Sequence, residues 1–341
     1  MERTQRSQGG PTAGRTAFVL SGGASLGAVQ VGMLRALYER GIVPDLICGT
    51  SVGALNGAFV AAREQTAATA DALGDVWLGL GRRDVFPLSP LAGVMGLAGR
   101  RDALVSERSL ERLIHAHVGV ETFEETRVAL HLTATDVLDG LEVRLSRGDL
   151  ADAVLASTAI PGVFPTVEWH GHELMDGGVA DNTPLSHAIE LGATEVYVLA
   201  TGGPCVLPVA PRGAVPRIVN ALAVLVRRRL VTEIDALGDA ARLIVLPPPC
   251  PLEVSPNNFA RAGELIERAL DAARDHLDAL EDGGQTPMAP SQSASTPRAR
   301  PARDLAEEAS GGGWRLSPCS AATAGPSARR SPPAPPPTAT R

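Results

Sequence analysis

The sequence predicts a three-layer α/β/α domain with a mostly parallel central sheet. Two observations carry this. Twice within residues 16–64 a short apolar run ends in a glycine-containing turn and passes into a segment with helical apolar spacing. A strand–turn–helix unit repeated in this way implies parallel strands covered by helices. In addition, hydrophobic residues make up 44% of the 341 residues and aromatic ones only 3%. That is a core of Leu, Val, Ala and Ile, with too little apolar content for a polytopic membrane protein.

The elements follow in order along the chain. Residues 1–14 are polar and are expected to be a disordered lead. Thr16–Ser21 is a buried strand entering a turn at Gly22-Gly23. Leu26, Val29, Met33 and Leu37 then share one helix face, and Gly41 stops that helix. Asp45–Cys48 is a second buried strand. It meets Gly49-Thr50-Ser51-Val52-Gly53, after which an Ala-rich helix runs to about residue 64, with another over 66–80. Further helices are expected near 107–117, 150–157, 185–191, 216–237 and 258–280, and strands near 128–135, 195–200 and 242–246. Asp139-Gly140 marks a hairpin into 141–145, and a second hairpin spans 166–175 with its turn at Gly171. From residue 282 the chain is Pro, Ser, Ala, Thr, Gly and Arg, a composition that cannot bury enough apolar surface to offset ordering entropy. The expected organisation is therefore a lead over 1–14, one domain over 15–281 and a disordered tail over 282–341.

Charge and cysteine usage exclude several classes. Net charge is −7, and all 31 cationic side chains are Arg. Without Lys there is no Schiff-base nucleophile. An acidic body argues against nucleic acid as a partner. Cys48, Cys205, Cys250 and Cys319 lack C-x-x-C spacing, so free buried thiols are expected rather than a zinc site or disulfide framework. Residues 1–15 have no apolar core of a signal peptide, and no run reaches the roughly 18 apolar residues of a spanning helix. A cytoplasmic protein, with or without membrane association, is the expectation.

Three motifs carry chemistry. Gly49-Thr-Ser-Val-Gly53 is a G-x-S-x-G between a buried strand and a helix. At such a turn the central residue is forced to positive φ, the flanking positions admit only small residues, and the serine hydroxyl is lifted to a helix N-terminus. Ser51 is thereby the candidate nucleophile, with Gly49 and Gly53 shaping the elbow. The second motif, Ser21-Gly22-Gly23-Ala24-Ser25-Leu26-Gly27, follows the first strand. Backbone N–H groups of Gly22, Gly23, Ala24 and Gly27 are candidates for an oxyanion hole. A dinucleotide fingerprint fails because Ala24 stands where its second Gly is required, and the lysine of a phosphate-binding loop is absent. The third motif, Asp176-Gly177-Gly178, read by itself is only a turn signal.

In combination these motifs resemble the patatin-like phospholipase family, whose pattern is a Gly-rich loop, a G-x-S-x-G and a D-G-[GA], in that order. Ala156-Ser-Thr-Ala-Ile-Pro161, Phe164-Pro165 and Asp176-Gly-Gly-Val-Ala-Asp-Asn-Thr-Pro184 are also similar to the family's segments. The resemblance runs from about Thr16 to Val198. It implies a patatin-like fold, a Ser51–Asp176 dyad, Gly177 and Gly178 as parts of the base motif, a lipid or phospholipid ester substrate, and neither cofactor nor metal. The loop departs from the family's G-G-G-x-[RK]-G at Ala24 and at Leu26, where the cation is lost.

The expected function is that of a serine lipid acyl hydrolase of phospholipase A, lysophospholipase or esterase type, with burial raising the Asp176 pKa to make it a better base. Two alternatives stay open. One is a Ser-His-Asp triad using Asp136 or Asp176 with His187 or His276, although both histidines read as solvated. The other is an inactive lipid-binding or regulatory protein on the same fold, motivated by Ala24 and Leu26. His115 with His117, and His170 with His172, are poorly spaced or simply placed for metal ligands. The Pro- and Gly-broken apolar segment 85–99 reads either as a peripheral membrane contact or as a buried connector. Arg227-Arg228-Arg229 reads as a solvated helix face. Oligomeric state has no sequence signal.

Overall fold

The computed structural model of the protein describes residues 14–86, 105–202, 213–250, 254 and 258–283. The chain runs β1 (Arg15–Leu20), a 3-10 turn (Ala24–Gly27), α1 (Ala28–Glu39), β2 (Leu46–Thr50), α2 (Val52–Ala61), α3 (Ala67–Gly79) and the short α4 (Arg82–Val85). After residue 104 come α5 (Arg108–His117), β3 (Ala129–Asp136), β4 (Glu142–Leu145), α6 (Leu150–Thr158), β5 (Val167–Trp169), β6 (His172–Asp176), α7 (Leu185–Glu190) and β7 (Ala193–Leu199). α8 (Ala214–Leu237), β8 (Arg242–Leu246) and α9 (Ala262–Glu281) complete it.

One eight-stranded sheet is ordered β5-β6-β3-β2-β1-β7-β8, with β4 also paired to β3. The pairs β3-β2, β2-β1, β1-β7 and β7-β8 are parallel. β4, β6 and β5 add antiparallel pairs at the β3 side. β1 shows why helices cover both faces. Successive strand residues point to opposite sides, and Phe18 and Leu20 enter one core cluster while Ala17 and Val19 enter the other. The larger cluster lies under α1, α2, α3 and α9, and the smaller one packs against α7 and α8. This is the expected three-layer arrangement.

Several boundaries and side chains differ from the sequence reading. The first helix opens with a 3-10 turn before α1, and β2 runs on to Thr50, so only Ser51 separates strand from helix. Cys48 is free and buried, but Cys250 is disulfide-bonded, which corrects the expectation of free thiols. Val85 and Phe86 begin the apolar segment, and Phe86 packs on Phe164 and Phe259 at ring separations of 5.7 and 6.1 Å. Residues 87–99, with the terminal lead before Gly14 and the tail from 284, lie outside the described residues. Arg228 and Arg229 are exposed, and Arg229 pairs with Glu142. Among the described residues no helix is long and apolar enough to cross a membrane.

Candidate active site

The turn after β2 holds Ser51 at φ 54° and ψ −122°, a strained conformation for a residue with a side chain. Small flanking residues make it feasible. A Cβ on Gly49 would lie 2.6 Å from the Gly53 carbonyl oxygen, and one on Gly53 would lie 2.1 Å from that of Leu20. The serine sits at the N-terminus of α2, where the helix dipole favours negative charge. Its N–H donates to Ser157 Oγ at 3.0 Å, and Ser157 Oγ donates in turn to the Thr133 carbonyl at 2.6 Å.

β3 brings the Asp176-Gly177-Gly178 motif to this serine. In the sheet register Thr50 stands opposite Thr133, and Asp176 stands opposite the next residue, Ala134. β6 therefore delivers Asp176 one strand position beyond the point where β2 ends. Ser51 Oγ donates to Asp176 Oδ2 at 2.7 Å, and the Gly178 N–H donates to Oδ1 at 2.7 Å. Both residues are buried, Ser51 to 7% exposure and Asp176 to 6%. Burial pushes the Asp176 carboxyl up to about 6, against the hydrogen bonds from Ser51 and Gly178, which favour its charged form.

The Gly-rich loop divides into scaffold and free donors. The Gly22 N–H donates to the Asn182 carbonyl at 3.1 Å, and the Gly22 carbonyl accepts from Asn182 Nδ2 at 3.3 Å and from Thr201 Oγ1. Gly27 packs where a Cβ would fall 2.3 Å from Val52 Cγ2. Gly22 thus has its N–H committed, and Gly27 is packed tightly against Val52 of α2. Among the described residues the N–H groups of Gly23 and Ala24 have no acceptor. Ala24 takes φ 51°, in the region where an L side chain costs about 1–2 kcal/mol relative to glycine-type freedom. Leu26 is partly buried against the core.

Ser51 and Ala24 are among the residues that line an apolar cavity. Its walls come from α2, α3, α5 and the end of α6, with Leu55, Phe59, Val76, Trp77, Ile114 and Phe164 among them.

The histidines are placed differently from expectation. Ser51 pairs with Asp176 rather than with an imidazole. Asp136 pairs with His172, Nδ1 to Oδ2 at 2.7 Å. His187 is buried beside Glu142, 3.4 Å from Nε2 to Oε1, and His276 is partly buried. Both therefore correct the reading of solvated side chains. His187 is hidden because Glu142 of β4 supplies a polar partner next to α7. Among the described residues no group of three or more His, Cys, Asp or Glu is arranged to hold a metal ion. Ser157 and Asn182 entered the sequence reading only as parts of family-similar segments, with no role given to either, and Thr201 was not singled out. The signal for Ser157 was its place in the family-similar segment Ala156–Pro161.

The fold and the Ser51–Asp176 pair lead to a class. The family model of patatin-like phospholipases matches residues 18–189, about half of the chain, and the chain belongs to that family. Among curated relatives it is 30% identical to an uncharacterised NTE family protein of Mycobacterium tuberculosis, over 57% of this chain and 51% of that protein. It is 31% identical to the lysophospholipase nte1 of Aspergillus terreus, over 54% of this chain and 12% of that protein. It thus spans about half the length of the mycobacterial relative and a small part of the fungal one. Among solved structures, VipD from Legionella pneumophila is similar with a TM-score of 0.43 at 18% identity, over 80% of this chain and 67% of that chain.

Proposed function

We propose that the chain is a serine acyl hydrolase that cleaves carboxylic esters of lipids, of the phospholipase A, lysophospholipase or esterase type. The observation that carries this reading is the 2.7 Å hydrogen bond to a buried Asp176 carboxylate from the Oγ of Ser51, a residue that lines an apolar cavity. Names among its relatives, a lysophospholipase and the neuropathy target esterase of Drosophila melanogaster, agree with it.

Asp176 takes the hydroxyl proton as Ser51 Oγ attacks the ester carbonyl carbon. The resulting oxyanion faces the Gly23 and Ala24 N–H groups. Each such donor typically lowers the barrier by about 3 kcal/mol. The bond to the alcohol oxygen then breaks, and that oxygen leaves with the proton held by Asp176. Water, deprotonated by Asp176, attacks the acyl-serine, releasing the fatty acid and returning the proton to Ser51. A carboxyl near 6 is a better matched base at neutral pH than an ordinary aspartate. The cavity takes the acyl chain. No cofactor or metal enters this scheme.

Contact with a lipid surface is part of the proposal. The β3–β4 turn exposes Leu138 to 87% and Leu141 to 65%, and Val179, just after the Asp176 motif, is also exposed. Leu138 and Leu141 follow the C-terminal end of β3, the same end of the parallel strands at which Ser51 follows β2, and a membrane lipid would enter from that side.

Labelling with a fluorophosphonate probe tests the reading. Wild type takes the label, and Ser51→Ala and Asp176→Asn do not. Labelling that persists in Ser51→Ala moves the nucleophile elsewhere, and an unlabelled wild type, with phospholipid vesicles present, favours an inactive lipid-binding protein.

A further inference from the structure

Behind the Gly-rich loop runs a chain of neutral hydrogen bonds among side chains that the scheme above does not use. Gln30, Asn56 and Trp77 are 0, 2 and 4% exposed. Trp77 Nε1 donates to Asn56 Oδ1 at 3.0 Å. Asn56 Nδ2 donates to Gln30 Oε1 at 2.8 Å and to the Gly27 carbonyl at 3.0 Å. Gln30 Nε2 donates to the Ser21 carbonyl at 2.9 Å and to the Leu199 carbonyl at 3.0 Å.

The direction of this chain is fixed. Both amide groups spend both of their N–H donors, and the indole spends its only one. Turning either amide over would set oxygen against oxygen in a buried site. The two loop carbonyls it holds, Ser21 and Gly27, bracket the segment 22–26. Gly23 and Ala24 lie inside that bracket, and Leu26 supplies no polar anchor of its own. At its far end the chain reaches the cavity, since Asn56 and Trp77 line the same space as Ser51.

We infer that Gln30, Asn56 and Trp77 are positioning residues that clamp both ends of the oxyanion loop and tie its geometry to the wall of the acyl cavity. The inference rests on the serine hydrolase reading and adds to it residues that touch no reacting atom. Its physical basis is that an oxyanion hole works only when its donors are held where the charge develops, and small misplacements are expensive.

The experiment compares wild type, Trp77→Phe and Asn56→Ala. Trp77→Phe keeps a ring in the cavity and removes the N–H. Three quantities are read on a long-chain ester hydrolase assay: kcat and KM, the inhibition constant of an alkyl trifluoromethyl ketone, whose serine hemiketal mimics the oxyanion, and the affinity for the free fatty acid. Trp77→Phe is expected to lower kcat about tenfold, short of the roughly 10²–10³-fold loss of a whole donor. KM and fatty-acid affinity stay within about twofold, and the ketone weakens by the same factor as kcat/KM. Asn56→Ala is expected to show a larger loss in the same pattern. If it does not fold, Trp77→Phe decides alone. Unchanged ketone affinity in Trp77→Phe, or fatty-acid affinity falling along with it, overturns the inference, because the residues then merely shape the cavity. A wild type that takes no fluorophosphonate label overturns the hydrolase reading and this inference with it, whereas a labelled wild type confines failure to the inference.

Discussion

A methyl group on Gly177 would lie 2.1 Å from the Thr133 carbonyl oxygen. The backbone after Asp176 thus presses directly on the strand that also registers the nucleophile. Gly177→Ala must push the Asp176 segment away from β3. Fluorophosphonate labelling is expected to slow by about 100-fold, the scale of a misplacement near 1 Å, and the melting temperature to fall.

The raised Asp176 pKa makes two pH predictions with one sign. As the base it works ionised, so kcat/KM rises with pH through about 6 and levels off above. In folding, the buried carboxyl binds its proton more tightly than it does in the unfolded chain. The native state is therefore penalised above pH 6, and the penalty vanishes below about 4. Asp176→Asn, though inactive, should be more stable than wild type at pH 8, by on the order of 2–3 kcal/mol. Denaturant titrations at pH 8 and pH 4 check whether that gap closes on acidification.

Ser157→Ala removes the hydroxyl that accepts from the Ser51 N–H and donates to Thr133. Two buried backbone groups lose their partner, at about 1–3 kcal/mol each at most. Urea unfolding should show the loss, and serine labelling should slow more than a comparable destabilisation elsewhere produces. Equal slowing in a control variant of the same stability would leave Ser157 as packing only.

Leu55→Trp narrows the cavity from α2. The specificity constant for long-chain esters is expected to fall at least tenfold while that for an acetyl ester stays near wild type, because only the long chain needs the filled volume. A parallel loss on both esters would remove the acyl-cavity assignment.

Replacing Leu138 and Leu141 together by Asp puts charge on the exposed β3–β4 turn. Sedimentation with phosphatidylcholine vesicles should drop several-fold and hydrolysis of a soluble short-chain ester should persist. Vesicle binding at the wild-type level would clear that turn of any role at the membrane.

Much of the fold was legible because it is written in local pattern. The strand, turn and helix around Ser51 are neighbours in sequence, so the elbow could be read from spacing alone. The Asp176-Gly-Gly turn could not be. Its meaning depends on β6 pairing with β3 one position beyond Thr133, a register that no local pattern encodes. It was reached only through resemblance to a family. Gly22 shows the same limit at the scale of one bond, because its N–H is taken by the Asn182 carbonyl 160 residues away in sequence. His187 was misread because polarity alone argues for solvent, and its partner Glu142 belongs to another strand. Gln30, Asn56 and Trp77 gave no signal because each, taken singly, is an ordinary residue of an amphipathic or Ala-rich helix.

The placement of Ser51 and Asp176 by β3 has a kinetic corollary. The two residues are 125 positions apart, and neither is set until β2 and β6 have both docked on the same strand. Long-range strand pairing is slow compared with helix formation. During refolding, the far-ultraviolet helical signal should therefore return before the serine becomes reactive, which makes probe labelling a clock for closure of the sheet rather than for collapse of the chain.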